Sequence, residues 1–234
     1  MVLAWRLSMQ QMNPRKLRNN ETLSDIQRAY AYSHRLSRAI GITQGSERLS
    51  SSITELSQGL EGGLRWGELS EWGSPWGSGG REVLLSFLSQ LKYSKSGQEQ
   101  WCLWVQGQDG DANVYPPAWE AKGVDLRYIR FTKSLKPVHD LNPIFMSPFF
   151  KFIVLDSPQN LSIEDCQFLG RQARRHQQSI VVVRNYFLSP KKGNVWAKLR
   201  LNCWHDYVRD QYMVKVIKGL SPRQISFKIN ETLN

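Results

Sequence analysis

A strand–helix–strand pattern in the second half of the chain restricts its fold to the α/β class. The apolar runs FKFIVLD (150–156) and SIVVVRN (179–185) are continuous rather than alternating. Such runs are typical of strands that are covered on both faces of a sheet. Between them lies a predicted helix with Ser162 as its cap and acidic residues in its first turn. A helical crossover joins parallel strands, so we expect a mostly parallel sheet flanked by helices.

Weaker signals extend this sheet in both directions. Further strands are predicted near 67–72, 101–105 and 126–132, and the alternating runs 194–206 and 211–220 indicate a hairpin followed by a last strand. The sequence therefore predicts an antiparallel C-terminal extension of the parallel sheet. We expect three regions: an N-terminal segment with a helix (1–41), a core (42–204), and basic C-terminal strands and tail (205–234).

Two features point to the carboxyl edge of the sheet, where ligands of such folds bind. The stretch EWGSPWGSGGRE (71–82) follows a predicted strand and precedes a predicted helix, and Asp156 ends another strand. The stretch is rich in glycine and serine, like a phosphate-binding loop, but it contains no G-K-[ST]. Arg81 offers a cation but no hydroxyl for a metal. We therefore predict a degenerate phosphate-binding loop in which bulky Trp76 fills space.

The charge is unevenly distributed along the chain. The net charge is +11, and the segment after residue 170 contains 13 lysines and arginines but only three acids. A basic segment of this kind favours polyanions such as nucleic acid. The three cysteines have no metal-binding spacing and are expected to be buried apolar residues. The first 20 residues lack the apolar core of a secretion signal, which predicts a cytoplasmic protein.

Taken in order, these pieces resemble the RecA-type ATPase core over residues 42 to 230. The similarity lies in the stretch ITQGSERLSSSITELSQGLEGGLRWGELSEWGSPWGSGG, in the strand, helix and GVD of residues 101–125, and in FKFIVLD as a Walker B strand. Within this superfamily the chain is most similar to the ImuA (SulA-like) branch, whose members have degenerate ATP motifs. The resemblance rests on the order and spacing of pieces that are individually unspecific.

The resemblance implies a nucleotide site and predicts that it is inactive. In the family, a glutamate after the second core strand orients the attacking water; here Gln108 takes that position, and an amide cannot accept the proton. With the lysine, the hydroxyl and the glutamate all missing, we expect no ATPase activity and no cofactor. The residues of the degenerate nucleotide site are Gly73, Gly77, Gly79, Gly80, Arg81, Gln108 and Asp156. Six tryptophans are expected to cluster around it: Trp66, Trp72, Trp76, Trp101, Trp104 and Trp119.

The resemblance also implies partners. RecA proteins bind DNA through two loops, of which the first is nearly absent here (157–160) and the second is YFLSPKKGN (186–194). The aromatic residues Tyr186 and Phe187 either stack on bases or close the core. The residues predicted to bind single-stranded DNA are Lys191, Lys192, Arg184, Arg175 and Arg174. The branch implies an inactive scaffold for DNA-damage-induced translesion synthesis, which binds an ImuB-like Y-family polymerase homologue, with RecA and an error-prone replicative polymerase as further partners.

Two alternatives stay open at this point. The first is a divergent ATPase of the RecA or KaiC type that uses Arg81 and Asp156 unconventionally. The second is a cell-division inhibitor of the SulA kind, which would bind the division GTPase rather than DNA. The C-terminal segment from about residue 205 is the predicted surface for the protein partner.

Overall fold

The fold is described from a computed structural model, which covers residues 48–91, 99–107, 114–221 and 223–229. Its strands are β1 (Arg48–Leu49), β2 (Leu64–Arg65), β3 (Leu69–Gly73), β4 (Trp101–Gln106), β5 (Ile129–Lys133), β6 (Phe150–Asp156), β7 (Ser179–Arg184), β8 (Leu199–Asp206), β9 (Gln211–Lys218) and β10 (Gln224–Phe227). Its α-helices are α1 (Thr54–Gly59), α2 (Glu82–Leu88), α3 (Pro116–Glu120), α4 (Pro137–Asp140), α5 (Asn142–Phe145) and α6 (Ile163–His176).

Eight of these strands form one sheet in the order β10-β9-β8-β3-β7-β6-β4-β5, and β1 and β2 form a separate antiparallel pair. The six strands from β8 to β5 in this order run parallel, whereas β9 is antiparallel to β8 and β10 is antiparallel to β9. The prediction of an α/β fold with an antiparallel C-terminal extension is therefore confirmed. Strand β8 crosses residue 205, and β9 and β10 continue the same sheet.

Two hydrophobic clusters cover the two faces of the sheet. On one face, α1 and α2 pack through Leu56, Leu84 and Phe87 against strand residues such as Trp72. On the other face, α6 packs through Leu169 and other residues in a second cluster. These buried faces explain why the central strands read as continuous apolar runs rather than as alternating ones.

Helix α6 begins as the sequence predicts. The Ser162 hydroxyl accepts a hydrogen bond from the Asp165 N–H, and the Asp165 carboxylate accepts one from the Ser162 N–H. This reciprocal pair satisfies two backbone donors at the start of the helix. The cap fixes the point at which the chain turns back from the end of β6 towards the start of β7.

Two further points concern the N-terminal segment and membrane-spanning helices. The helix predicted within residues 1–41 lies outside the described residues. Among the described residues, no helix is long and apolar enough to cross a membrane.

Candidate functional site at the carboxyl edge of the sheet

The glycine-rich segment 74–81 connects the end of β3 to the start of α2, at the carboxyl edge of the parallel strands. Asp156 is the last residue of β6, and β7 lies between β3 and β6. The two features that the sequence placed at this edge are therefore separated by a single strand. A side chain from the segment can reach Asp156 across the end of β7.

Arg81 makes that connection. Its Nε atom donates to both carboxylate oxygens of Asp156, at 3.0 and 3.3 Å, and one terminal nitrogen lies 3.0 Å from Oδ1. The same guanidinium donates to the Ser74 carbonyl at 2.6 Å and to the Ser157 hydroxyl at 2.8 Å. Asp156 is 1% exposed and the Arg81 side chain 16% exposed. A buried carboxylate is thus neutralised by the protein's own cation.

Trp76 covers the outer side of this ion pair. Its ring lies 3.6 Å from the Arg81 guanidinium carbon, a cation–π contact. The backbone N–H of Trp76 donates to the side-chain oxygen of Asn185, just after β7. Trp76 thus stacks on Arg81 and is itself partly exposed.

The β8–β9 hairpin holds the other side of the segment. The His205 N–H donates to the Ser78 carbonyl at 2.6 Å, and the Tyr207 hydroxyl donates to the Gly77 carbonyl at 3.0 Å. At the first residue of α2, Glu82 accepts hydrogen bonds from Tyr212 and from Lys122. Burial and the Glu82 carboxylate raise the pKa of the Tyr212 hydroxyl well above its ordinary value. The segment is therefore fixed from several strands.

The glycines of the segment are required by close packing. A Cβ atom at Gly80 would collide with the Cys203 carbonyl, and one at Gly73 would collide with the Asn202 side chain and the backbone of residues 186–188. Gly77 and Gly79 have φ angles of 76° and 73°, which favour glycine. Close packing and backbone conformation therefore account for these glycines without any bound phosphate.

The residues present do not fit a magnesium–nucleotide. A working phosphate loop offers a lysine to the phosphates and a hydroxyl to the metal, with a free acidic residue nearby. Here Arg81 lies between the loop and Asp156, and the carboxylate is hydrogen-bonded to Arg81 and Ser157. Gln108, predicted at the position of the catalytic base, lies outside the described residues.

A second buried charge was missed by the sequence reasoning. Glu71 in β3 is fully buried and accepts a hydrogen bond from Arg184 at 2.8 Å. Its other oxygen lies 3.5 Å from Arg200 and accepts from the Asn194 N–H. The signal in the sequence was the glutamate inside the strand LSEWG, because a carboxylate in a buried strand needs charged or hydrogen-bonding partners.

This cluster anchors the loop that carries the predicted DNA-binding lysines. Arg200 donates to the carbonyls of Ser189 and Lys192. Asn202 binds both the N–H and the carbonyl of Leu188, at 2.7 and 2.9 Å. The backbone of the loop between β7 and β8 is therefore held against the face of β8 that carries Arg200 and Asn202.

The predicted DNA-binding residues fall in three places. Lys191 and Lys192 are exposed on the β7–β8 loop, and the Lys192 ammonium lies 3.8 Å from the centre of the Tyr186 ring. Arg184 is engaged with Glu71 below the loop. Arg174 and Arg175 are exposed in the last turn of α6, which precedes β7 and so lies at the amino edge of the sheet. The structure does not bring the arginines of α6 together with the lysines.

The tryptophans do not form a single cluster around the site. Trp66, Trp72, Trp104 and Trp119 share the hydrophobic cluster under α1 and α2. Trp101 begins β4 and contacts Tyr128 and Phe149, so it lies at the opposite edge of the sheet. Only Trp76, among the described tryptophans, stacks on Arg81. The expected clustering is wrong for Trp101 because a residue at the start of a strand lies far from that strand's carboxyl end.

Comparison with protein-family models and with curated proteins finds no match to this sequence.

Proposed function

We propose that this protein is a RecA-like scaffold without ATPase activity. By its resemblance to the ImuA branch, it serves DNA-damage-induced translesion synthesis, as part of the SOS response that leads to mutagenesis. In this role it binds an ImuB-like Y-family polymerase homologue and single-stranded DNA, with RecA and an error-prone replicative polymerase as further partners.

The observation that carries the proposal is the Arg81–Asp156 ion pair. In a RecA-type ATPase the corresponding space receives phosphates and magnesium, whereas here an arginine from the loop itself occupies it. The loop keeps its position between strand and helix, at the carboxyl edge, beside an acidic strand end. A loop that keeps its place but contains its own cation supports descent from a nucleotide-binding site whose chemistry has been lost.

The surface supports the binding roles. Lys191 and Lys192 are exposed on a loop with a fixed base, a suitable arrangement for sequence-independent contacts to phosphate. The turn between β8 and β9 exposes Tyr207 by 70% and Val208 by 96%. Exposed apolar side chains on a firmly anchored hairpin favour a protein partner at the C-terminal segment.

The test is ATP binding with magnesium, measured by calorimetry with and without single-stranded DNA, followed by ATP hydrolysis on the same sample. We expect no heat of binding and no hydrolysis in the unaltered protein. Arg81→Ala serves as the diagnostic variant, and Arg171→Ala, an exposed arginine on α6, as its control.

Micromolar ATP binding that Arg81→Ala abolishes and Arg171→Ala preserves would replace the scaffold proposal with a divergent ATPase. Absence of binding in all three proteins supports the scaffold. Co-purification with the ImuB-like polymerase homologue, lost in Val208→Asp, would then support the partner proposal. Binding to the division GTPase instead would favour the SulA-like alternative.

A further inference from the structure

A cavity of about 320 Å³ lies at the carboxyl edge of the sheet, between the loops that follow β5 and β6. Residues 135–139, residues 159–161 and Asp165 line it. These lining residues belong neither to the glycine-rich segment 74–81 nor to the loop between β7 and β8. Ligands of parallel α/β sheets bind at this edge, and cavities that hold small molecules have volumes of about 300–1,000 Å³. The cavity therefore has the position and the size for a small molecule.

Hydrogen bonds between side chains fix His139, which lies on one wall of the cavity. The Ser134 hydroxyl donates to one oxygen of Asp140 at 2.6 Å, and the other oxygen of Asp140 lies 3.0 Å from His139 Nδ1. Hydrogen bonds from Ser134 and His139 lower the pKa of Asp140, so the carboxylate is ionised at neutral pH and Nδ1 carries the proton. When the ring is neutral, His139 Nε2 is therefore an acceptor, on a side chain that is accessible to a ligand.

The first turn of α6 contributes a carboxylate to the cavity. Asp165 is half-buried, and its Oδ2 atom accepts the Ser162 N–H of the helix cap at 3.0 Å. Its Oδ1 atom has no hydrogen-bond partner within the described part of the chain. The neighbouring Glu164 is exposed and is not among the residues that line the cavity. Asp165 thus holds one oxygen available for a ligand while the cap fixes the other.

The formal charges that line the cavity balance each other. Lys136 is exposed and positive, Asp165 is negative, and the other lining residues carry no formal charge when His139 is neutral. A ligand with only one charged group would find one favourable and one unfavourable partner, whereas a ligand with both signs finds a partner for each. The buried Val138 and the half-buried Leu161 add apolar surface. The lining therefore suits a small zwitterion with an apolar side chain.

We propose that this cavity binds a free aliphatic α-amino acid in its zwitterionic form. Asp165 and His139 Nε2 accept hydrogen bonds from the ammonium group, Lys136 pairs with the carboxylate, and the side chain packs against Val138 and Leu161. An internal residue of a peptide carries neither charge on its backbone, so the two charged partners favour the free amino acid over a chain. The proposal goes beyond the scaffold function, since it uses none of the residues assigned to the nucleotide site or to DNA.

The test is calorimetry on the full chain with L-leucine, L-isoleucine, L-valine and L-methionine as separate probes. We expect at least one of them to bind. The amide of the tightest binder lacks the carboxylate, and its N-acetyl derivative lacks the ammonium group. Each derivative should bind at least about tenfold more weakly, because a hydrogen bond to a charged group is lost in each case.

Two substitutions test the two charged partners, each with a matched control. Asp165→Asn removes the charge but keeps an oxygen for the Ser162 N–H, and Lys136→Gln removes the cation. We expect each to weaken binding about tenfold or more. Glu164→Gln, at the next position of the same helical turn, and Lys198→Gln, at an exposed position before β8, should leave binding unchanged.

No binding of any of the four amino acids at millimolar concentrations would overturn the proposal. Equal affinity for a derivative that lacks either charge would also overturn it, since apolar contacts alone would then hold the ligand. The same holds if Glu164→Gln weakens binding as much as Asp165→Asn does, because the loss would then not depend on the carboxylate in the cavity. Thermal unfolding of each variant checks that α6 is intact, and Lys136→Gln tests the site without altering that helix.

Discussion

Arg81 is held by four different contacts, and this makes it a structural residue. It binds a carboxylate, a carbonyl and a hydroxyl, and it stacks on a tryptophan ring. Burial of a charge is tolerated only when such partners are present. Removal of either member of the pair leaves the other without its partner in a largely buried site.

We expect Arg81→Ala and Asp156→Ala to be coupled in a double-mutant cycle by about 1–3 kcal/mol. The physical reason is that the second substitution removes a charge that the first has already left unpaired. Urea denaturation of the four proteins measures this coupling. The pair of exposed Arg65 and half-buried Glu68, 3.7 Å apart, is the control cycle, with coupling below about 1 kcal/mol. Additive effects at Arg81 and Asp156 would contradict the assigned role.

We expect Glu71 to contribute more to the stability of the fold than the Arg81–Asp156 pair does. We expect Glu71→Gln to lower the free energy of unfolding by about 3 kcal/mol, because two largely buried arginines lose their counter-charge. Chemical denaturation provides the measurement. Glu55→Gln, at an exposed position of α1, should change it by less than about 0.5 kcal/mol. A loss below about 1 kcal/mol in Glu71→Gln would argue against the buried cluster.

At the residue scale, the sequence predicts where a residue lies in the fold better than it predicts which side chains that residue contacts. The glycine-rich segment, Arg81 and Asp156 could be placed at one edge because parallel strands end together. Their direct bond could not, since a side chain that crosses a neighbouring strand leaves no periodic signal. Glu71, Arg184 and Arg200 are far apart in the chain, and only the strand order brings them together.

Helix α6 is the element whose stability the sequence specifies most directly. It carries a reciprocal cap at Ser162 and Asp165, and its residue 177 ends it in a left-handed conformation. Its interior contains Gly170, where an added Cβ would meet nothing within 4 Å. The helix thus has one stabilising and one destabilising feature, and both can be tested by single substitutions.

We expect Ser162→Ala to destabilise the protein by about 1 kcal/mol, because the Asp165 N–H loses its acceptor. Thermal unfolding should show a decrease of about 2–4 °C in the midpoint. Ser50→Ala, at an exposed position before α1, is the control and should leave the midpoint unchanged. An equal shift in both variants would show that the cap does not contribute.

We expect the opposite sign for Gly170→Ala. Alanine restricts the unfolded chain and is favoured in a helix interior by about 0.8 kcal/mol over glycine, and space is available for its methyl group. The thermal midpoint should therefore rise. Gly80→Ala is the matched contrast, since its Cβ would collide with the Cys203 carbonyl, and its midpoint should fall. A fall in Gly170→Ala would indicate a close neighbour of α6.

At the scale of the whole molecule, one sheet joins elements from across the described chain. The predicted mostly parallel sheet and its antiparallel C-terminal extension are confirmed, because apolar runs and alternating runs report on how many faces each strand buries. The order of strands was not predictable, since it depends on which helix crosses which face. Strand β3 lies between β7 and β8, and no local pattern near residue 70 indicates this.

The three free cysteines allow the cooperativity of this sheet to be tested. Cys102, Cys166 and Cys203 lie in β4, α6 and β8 and are all buried. Burial raises the pKa of the Cys166 thiol to about 11 and raises those of the other two. Because the thiolate is the reactive form, fewer thiols react at pH 8 in the folded protein than in the unfolded one.

We expect iodoacetamide to modify these thiols slowly in native buffer and rapidly in denaturant, with one shared midpoint. Mass spectrometry of peptides across a urea series measures each site separately. A shared midpoint is expected because the sheet unfolds as one unit. Modification of Cys203 at a lower urea concentration than Cys102 would show that the antiparallel extension opens first.

The loop between β3 and α2 contains its own cation, Arg81, and under the proposed function no nucleotide cycle regulates the molecule. Where a nucleotide is bound, hydrolysed and released, a protein alternates between states at a rate set by that cycle. Arg81 belongs to the chain, so it is neither bound nor released as a nucleotide would be. Under the proposed function, assembly and disassembly then depend only on how much of the protein and its partners a cell contains, and on how fast each complex falls apart.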